Sequence, residues 1–179
     1  MSHPDDGPIV SAATPAAEAA GFTLRPATRD DVPTILHCIR ALADYERLLH
    51  KCTATEALLR ESLFGERPAA EVVLAFEGDV IAGYALWFRS YSTFLARPGV
   101  YLEDLFVFPE FRRRGLGRTL LAHLAQTAVE RGYGRVEWAV LDWNVDAITF
   151  YRSLGAVLLE DWNVCRLTDD ALPALAARP

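Results

Sequence analysis

Residues 100–131 constrain the fold more than any other stretch of the chain. Val100 to Phe108 (VYLEDLFVF) is rich in branched and aromatic residues and stops at Pro109, which reads as a strand. Its apolar side chains occupy both phases of the alternation, so both faces need cover and the strand is expected at the centre of a sheet. The loop Arg112-Arg-Arg-Gly-Leu-Gly-Arg-Thr119 follows. From Gly115 onward Leu116, Leu120, Leu121, Leu124, Ala125 and Ala128 recur at helical spacing as far as Arg131, and Gly132 ends the helix. A buried strand, a glycine-bearing turn and an amphipathic helix in this order point to an α/β or α+β domain with helices on the sheet faces.

The flanking sequence extends this pattern. Phe22 to Pro26 is a short strand, and Thr28 with Asp31 forms a capping-box-like helix start. Val32, Ile35, Leu36, Ile39, Leu42 and Ala43 then paint one apolar stripe, leaving Arg40, Asp44 and Arg47 outside. A second helix is expected at about 55–63, and Glu71–Phe76 and Val80–Phe88 form a hairpin around Glu77-Gly78-Asp79. Arg135 to Leu141 returns as a strand. Asn144 caps a short helix with Ala147, Ile148, Tyr151 and Leu154 inside and Gly155 as its stop, and strands are expected again at 156–160 and 163–168. Residues 1–21, rich in Ala and Pro without a sustained period, are read as a flexible tail, leaving one domain over 22–179.

Composition narrows the function. With 18 basic against 24 acidic residues the chain carries −6, the wrong sign for a phosphate-neutralising nucleic-acid binder and a better one for cationic partners. Its longest apolar run, Val80 to Phe88, is about half of a membrane span, and no signal peptide is legible, so no membrane association is expected. Cys38, Cys52 and Cys165 are odd in number, far apart and without CxxC spacing. His3, His37, His50 and His123 share no ligand spacing with them, so neither a metal nor a disulfide framework is expected, and a reducing cytoplasm is the simplest setting.

The Arg112–Thr119 loop is the chemical signal. A turn that opens a helix exposes unpaired N–H groups at the positive helix end, glycines let the backbone approach an anion, and Arg112, Arg113 and Arg114 add charge. A solvated loop with a chance run of arginines is the plainer alternative. A Walker loop would need Gly-Lys-Ser/Thr, and there is no lysine here. A dinucleotide fingerprint would need a third glycine where Leu120 stands. Arg112-x-x-Gly115-x-Gly117 instead matches the Arg/Gln-x-x-Gly-x-Gly/Ala pattern of acyl-CoA loops. Glu103 and Asp104 are a second signal, because adjacent acids in an apolar strand point to opposite faces and one of them needs a partner.

Taken with Tyr101–Val107, Trp143-Asn144 and Phe150–Ala156, this loop makes residues 22–168 resemble the GNAT superfamily of N-acetyltransferases, and within it the spermidine/spermine and thialysine branch. The resemblance implies a central mixed, mostly antiparallel twisted sheet flanked by helices, acetyl-CoA as donor and a homodimer. It implies that the pantetheine arm pairs with backbone at Leu105, Phe106 and Val107, and that Arg112, Arg113, Arg114, Gly115, Leu116, Gly117 and Arg118 hold the pyrophosphate. Asn144, first a helix cap, becomes a CoA contact as well. Tyr151 becomes the hydroxyl that donates a proton to the leaving thiolate, its plainer role being a core tyrosine. Glu103 becomes the acid that contacts the amine or relays its proton, its plainer role being a structural acid at a bulge or edge. Tyr45 and Glu46 resemble the pair beside the acceptor pocket. Tyr91-Ser92-Thr93 lacks the acid expected near Ser92 in strict polyamine enzymes and is closer to the thialysine branch. The implied reaction is direct acetyl transfer to a primary amine of a small cationic metabolite. Acetylation of a protein lysine or N-terminus, and an acyl-CoA sensor without chemistry, are the rivals.

Overall fold

The computed structural model describes residues 21–178, so the tail reading lies outside the described residues except for Gly21. It divides into two compact units, one reaching Ala139 and the other beginning at Val140.

The first unit is built on a five-stranded sheet in sequential order: β1 (Thr23–Pro26), β2 (Glu71–Glu77), β3 (Val80–Ser92), β4 (Arg97–Val107) and β5 (Val136–Trp138). All neighbours are antiparallel except β4 and β5, which are parallel. Helices α1 (Val32–Tyr45) and α2 (Glu56–Phe64) lie between β1 and β2 in sequence, and α3 (Leu116–Glu130) joins β4 to β5. The apolar stripe of α1 buries Val32, Ile35, Leu36 and Cys38 against Leu74, Tyr84, Leu86 and Phe106 of the sheet. Leu116, Leu120 and Leu124 of α3 are fully buried as well, and at Gly83 an added Cβ would press on both Phe106 backbone and a Leu116 methyl. Close approach of α3 to the sheet therefore requires glycine there.

Strand β4 is regular up to Leu102 and again from Asp104. Leu102 pairs with Trp87 and Asp104 with Leu86, so Glu103 is an extra residue with no partner on β3. Such a bulge flips the phase of the strand. Leu102 therefore shares the Trp87 face, where Trp87 meets His123 of α3 edge-on, while Asp104 and Phe106 share the Leu86 face beneath α1. This explains why the apolar residues of VYLEDLFVF occupy both phases.

The helix starts follow their sequence signals. The Thr55 hydroxyl accepts from Leu58 N–H to cap α2. Before α1, the Asp31 carboxylate accepts from Thr28 N–H at 2.7 Å, from the Thr28 hydroxyl at 2.9 Å and from both Arg25 terminal nitrogens at 2.7 Å. Arg47, expected on the outer face of α1, lies beyond its end with φ +63° and is exposed.

In the second unit, α4 (Val145–Ser153) starts where expected, with Asn144 Oδ1 accepting from Ala147 N–H at 3.3 Å, and ends at Gly155 with φ +88°. Ala147, Ile148, Tyr151 and Leu154 form its half-buried face. A further helix, α5 (Ala171–Ala176), has no counterpart in the sequence reading. Three strand expectations are corrected. The strand expected over 135–141 is confined to Val136–Trp138, and 156–160 and 163–168 form no ladder. Alternating apolar residues make a strand only where another strand supplies hydrogen-bonding partners.

Those four contacts hold Asp31 down to a pKa of about 2, the Arg25 hydrogen bonds contributing most. A carboxylate with a depressed folded-state pKa adds stability above its unfolded value, and the contribution disappears as pH falls through the folded one. Because the Arg25 side chain is 42% exposed, solvent screening limits the effect. Asp31→Asn is expected to cost about 1–2 kcal/mol in urea unfolding at pH 7. The deficit should shrink towards zero as pH is lowered from about 4 to 2, and a deficit constant with pH would place its origin elsewhere.

Candidate active site

The loop between β4 and α3 is a short 3₁₀ turn (Pro109–Phe111) followed by Arg112, Arg113, Arg114 and Gly115. Arg113 has φ +60° and Gly115 φ +87°, on either side of an Arg114 outside the positive region. Alternation of this kind turns successive N–H groups towards one side, as in anion-binding nests. The first intrahelical donor of α3 is Thr119 N–H, bonded to Gly115 O at 3.1 Å, so the N–H groups of Leu116, Gly117 and Arg118 precede the helical ladder at its positive end. A Cβ on Gly115 would meet nothing within 4 Å. The turn is thus open at Gly115, and backbone donors at a positive helix end make a cradle that fits a pyrophosphate.

The arginines do not all face that cradle. Arg112 Nε donates to Val107 O at 2.9 Å, and its guanidinium lies 4.7 Å from the Tyr45 ring centroid and 5.5 Å from that of Phe106. Arg114 forms a bidentate pair with Glu77 and covers the Phe22 ring at 4.8 Å. Arg113 and Arg118 are exposed. Backbone N–H groups, rather than Arg112 and Arg114, are the donors best placed for the anion.

Beside the loop, β4 has unequal edges. It pairs with β3 over Arg97–Val107, but with β5 only at Val100, Tyr101 and Leu102. From Glu103 to Val107 no strand of the sheet takes up its second edge. Leu105, Phe106 and Val107 lie in this stretch; Arg112 takes the Val107 carbonyl, and the rest of the second-edge backbone is left to pair with an extended ligand.

The structure brings Tyr45 and Glu46, at the end of α1, to the α1 face of β4. The Tyr45 ring lies 6.3 Å from that of Phe106, and Glu46 is electrostatically coupled to Asp104. Glu103, at the bulge, is exposed, and Asp104 is half-buried. Tyr84, fully buried on β3, donates its hydroxyl to Asp104 Oδ2 at 2.7 Å. The acid that needs a partner is therefore Asp104, and Tyr84 supplies it.

Burial raises the Asp104 pKa, the Tyr84 hydrogen bond opposes that rise and the Glu103 charge adds to it. Burial also raises Glu46, with the Asp104 charge adding to the effect. No Lys, Arg or His among the described residues forms an ion pair with either acid. Two partly desolvated carboxyls without such a pair are suited to a cation. Sequence reasoning marked Asp104 as one of two acids of which one needs a partner, but gave the substrate role to Glu103 and missed Tyr84. The available signal was a lone hydroxyl in the otherwise apolar run Val80–Phe88, which once buried requires an acceptor.

Asn144 and Tyr151 belong to the second unit, in the cap and on the half-buried face of α4. Cys38 is fully buried, and desolvation pushes its thiol up to about 12, so it stays protonated and cannot act as a nucleophile at neutral pH. Among the described residues no group of three or more His, Cys, Asp or Glu side chains could hold a metal ion.

The profile described as the acetyltransferase (GNAT) family matches residues 39–156, which include the loop, the bulged strand and both helix ends. The chain belongs to the GNAT acetyltransferase family. It is similar to the L-ornithine N5-acetyltransferase of Arabidopsis thaliana, at 37% identity over 85% of this chain and 86% of the relative. It is also similar to the mouse (Mus musculus) thialysine N-epsilon-acetyltransferase, at 36% identity over 89% of this chain and 99% of the relative. Among solved structures, an integron cassette protein from the mobile metagenome of V. cholerae superposes with a TM-score of 0.75 at 25% identity, covering 88% of this chain and 99% of that one. The sheet and flanking helices are those of this family, and the chain is an acetyltransferase. The family uses acetyl-CoA as co-substrate, and the cradle and the second edge of β4 fit its pyrophosphate and its amide-bearing arm.

The electrostatics of Glu46 yield a test. An acid whose folded-state pKa is raised opposes folding when ionised, and the opposition vanishes at pH values where it is protonated in both states. Glu46→Gln should therefore melt at or above the wild-type temperature at pH 7. The difference should close below about pH 4, where glutamate is protonated in the unfolded chain too. A variant less stable than wild type at pH 7 would show that Glu46 has a structural role instead.

Proposed function

We propose that this acetyltransferase moves acetyl from acetyl-CoA to a primary amine of a small cationic metabolite, a diamine, polyamine or lysine-like amino acid, by direct attack in a ternary complex. The observation that carries the reading is the Glu46 and Asp104 pair, two coupled carboxyls without an ion pair to the protein, set beside the part of β4 that no further strand covers. The named activities of the ornithine and thialysine relatives support the same acceptor class.

The bound donor supplies an acetyl thioester activated towards nucleophiles. Backbone N–H groups of Leu116, Gly117 and Arg118, with the Gly115 turn, hold its pyrophosphate, and Leu105, Phe106 and Val107 align its arm. Tyr45, Glu46 and Asp104 hold the amine. An alkylamine with a pKa near 10.4 is only about one part in 2,500 neutral at pH 7, a deficit of roughly 4.6 kcal/mol, so a proton must be removed before attack. Glu103, exposed at the bulge, is suited to pass that proton to water rather than to keep it. Tyr151 serves as the donor to the departing thiolate and Asn144 as a further CoA contact, both carried over from the family resemblance.

We assign a homodimer on the same basis. It is supported by Val157, Trp162 and Val164 of the second unit, which are 81, 74 and 79% exposed, more apolar surface in one segment than a monomer normally shows. The three free cysteines support a reducing, cytoplasmic setting.

Steady-state thiol release with putrescine, spermidine, ornithine, lysine, thialysine and a lysine-bearing peptide tests the proposal. Turnover is expected with the small amines, with kcat/KM rising with pH while free amine is limiting, and little with the peptide. Preferential use of the peptide would transfer the assignment to protein acetylation. No turnover with any amine, despite acetyl-CoA binding, would leave a sensor.

A further inference from the structure

Tyr84 is wholly buried among Val32, Ile35, Leu74 and Leu86, an environment that phenylalanine would fill equally well. What distinguishes it is the hydroxyl, whose one recorded partner is Asp104 Oδ2 at 2.7 Å. The bulge at Glu103 makes the contact possible. Asp104 sits opposite Leu86 and Tyr84 opposite Phe106, so after the phase change the two occupy diagonal positions on one face. In a strand of the same sequence without the bulge, Asp104 would share the face of Leu102, towards α3.

We propose that Tyr84 is a positioning residue for the acceptor amine, its hydroxyl fixing the Asp104 carboxyl through Oδ2 and leaving Oδ1 to receive the substrate ammonium. The inference rests on the acceptor reading given above. Three neighbouring groups disfavour the negative charge of this site, and the Arg112 guanidinium, over the Tyr45 and Phe106 rings, is a cation on the same face. Glu103 lies next to Asp104 on β4, Glu46 is coupled to it from the end of α1, and the buried Cys38 thiol of α1 lies near Tyr84. The Tyr84 O–H is the donor that opposes them, because donation to a carboxylate favours the ionised form. A buried Tyr84 cannot itself ionise at neutral pH, since burial and Asp104 both hold its pKa well above the ordinary value, so it donates throughout the working range.

Tyr84→Phe removes one oxygen and preserves the packing. Without the donor, Asp104 should stay neutral to higher pH. The acid limb of kcat/KM for the best small amine of the panel should move to higher pH, and KM at pH 7 should rise about tenfold, the scale of one charge-assisted hydrogen bond. kcat at saturating amine and acetyl-CoA affinity by calorimetry should stay close to wild type. In the companion variant Asp104→Asn the acid limb should lose its Asp104 component, and adding Tyr84→Phe to it should raise KM no further. A folded Tyr84→Phe enzyme with wild-type KM and pH profile overturns the inference and leaves the acceptor reading intact. Should that variant fail to fold, an Asp104→Asn enzyme with unchanged KM and pH profile overturns it as well. A wild-type enzyme without amine-dependent thiol release removes the acceptor reading and this inference with it.

Discussion

Strand β4 is hydrogen-bonded to β3 along its whole length on one edge, but to β5 over three residues on the other. The features that bear on function follow from this inequality. A central strand with both edges paired has no backbone left to offer a ligand, whereas one whose neighbour ends at Trp138 keeps amides and carbonyls from Glu103 onward, apart from the Val107 carbonyl that Arg112 takes. The bulge lies at the same place. It turns Asp104 towards α1 in the stretch where the second edge becomes available, so backbone for the donor and carboxylate for the acceptor come from consecutive residues of one strand.

The rest of the first unit fixes that strand in position. Helix α3 leaves β4 through a turn with positive φ at Arg113 and Gly115, which aims the first N–H groups of the helix at the same region. Helix α1 covers the other face and ends at Tyr45 and Glu46, beside Phe106 and Asp104. Arg112 ties the two halves together, with Nε on the Val107 carbonyl and its guanidinium over Tyr45. Electrostatically the site is unfinished. Arg25, Arg114 and Arg131 each have a carboxylate partner elsewhere, while Glu46 and Asp104 are raised by burial and by neighbouring acids. A cation held beside the two carboxyls would relieve that tension.

Much of this was legible in the sequence because the signals were local. The glycine turn, the Asn144 and Thr55 caps, the β2–β3 hairpin and the stripe of α1 each depend on residues a few positions apart. What was missed depends on partners distant in sequence. A bulge is a mismatch between two strands, so VYLEDLFVF revealed burial on both faces but not the phase change that produces it. Which of Glu103 and Asp104 has the protein partner is not readable locally, because the deciding hydroxyl lies 20 residues upstream on β3. Arg112 and Arg114, read as phosphate ligands, also meet Val107 and Glu77, contacts that no local pattern reveals. The strands expected after residue 155 had suitable alternation and no strand to pair with.

Amide hydrogen exchange on the purified protein, with and without saturating acetyl-CoA, tests the use of β4 most directly. Donor binding along the second edge and at the cradle predicts slowed exchange at Leu105–Val107 and at Leu116–Arg118, with Leu24 and Arg25 of β1 unchanged. Saturable acetyl-CoA binding that leaves exchange in both segments unaltered would contradict the account.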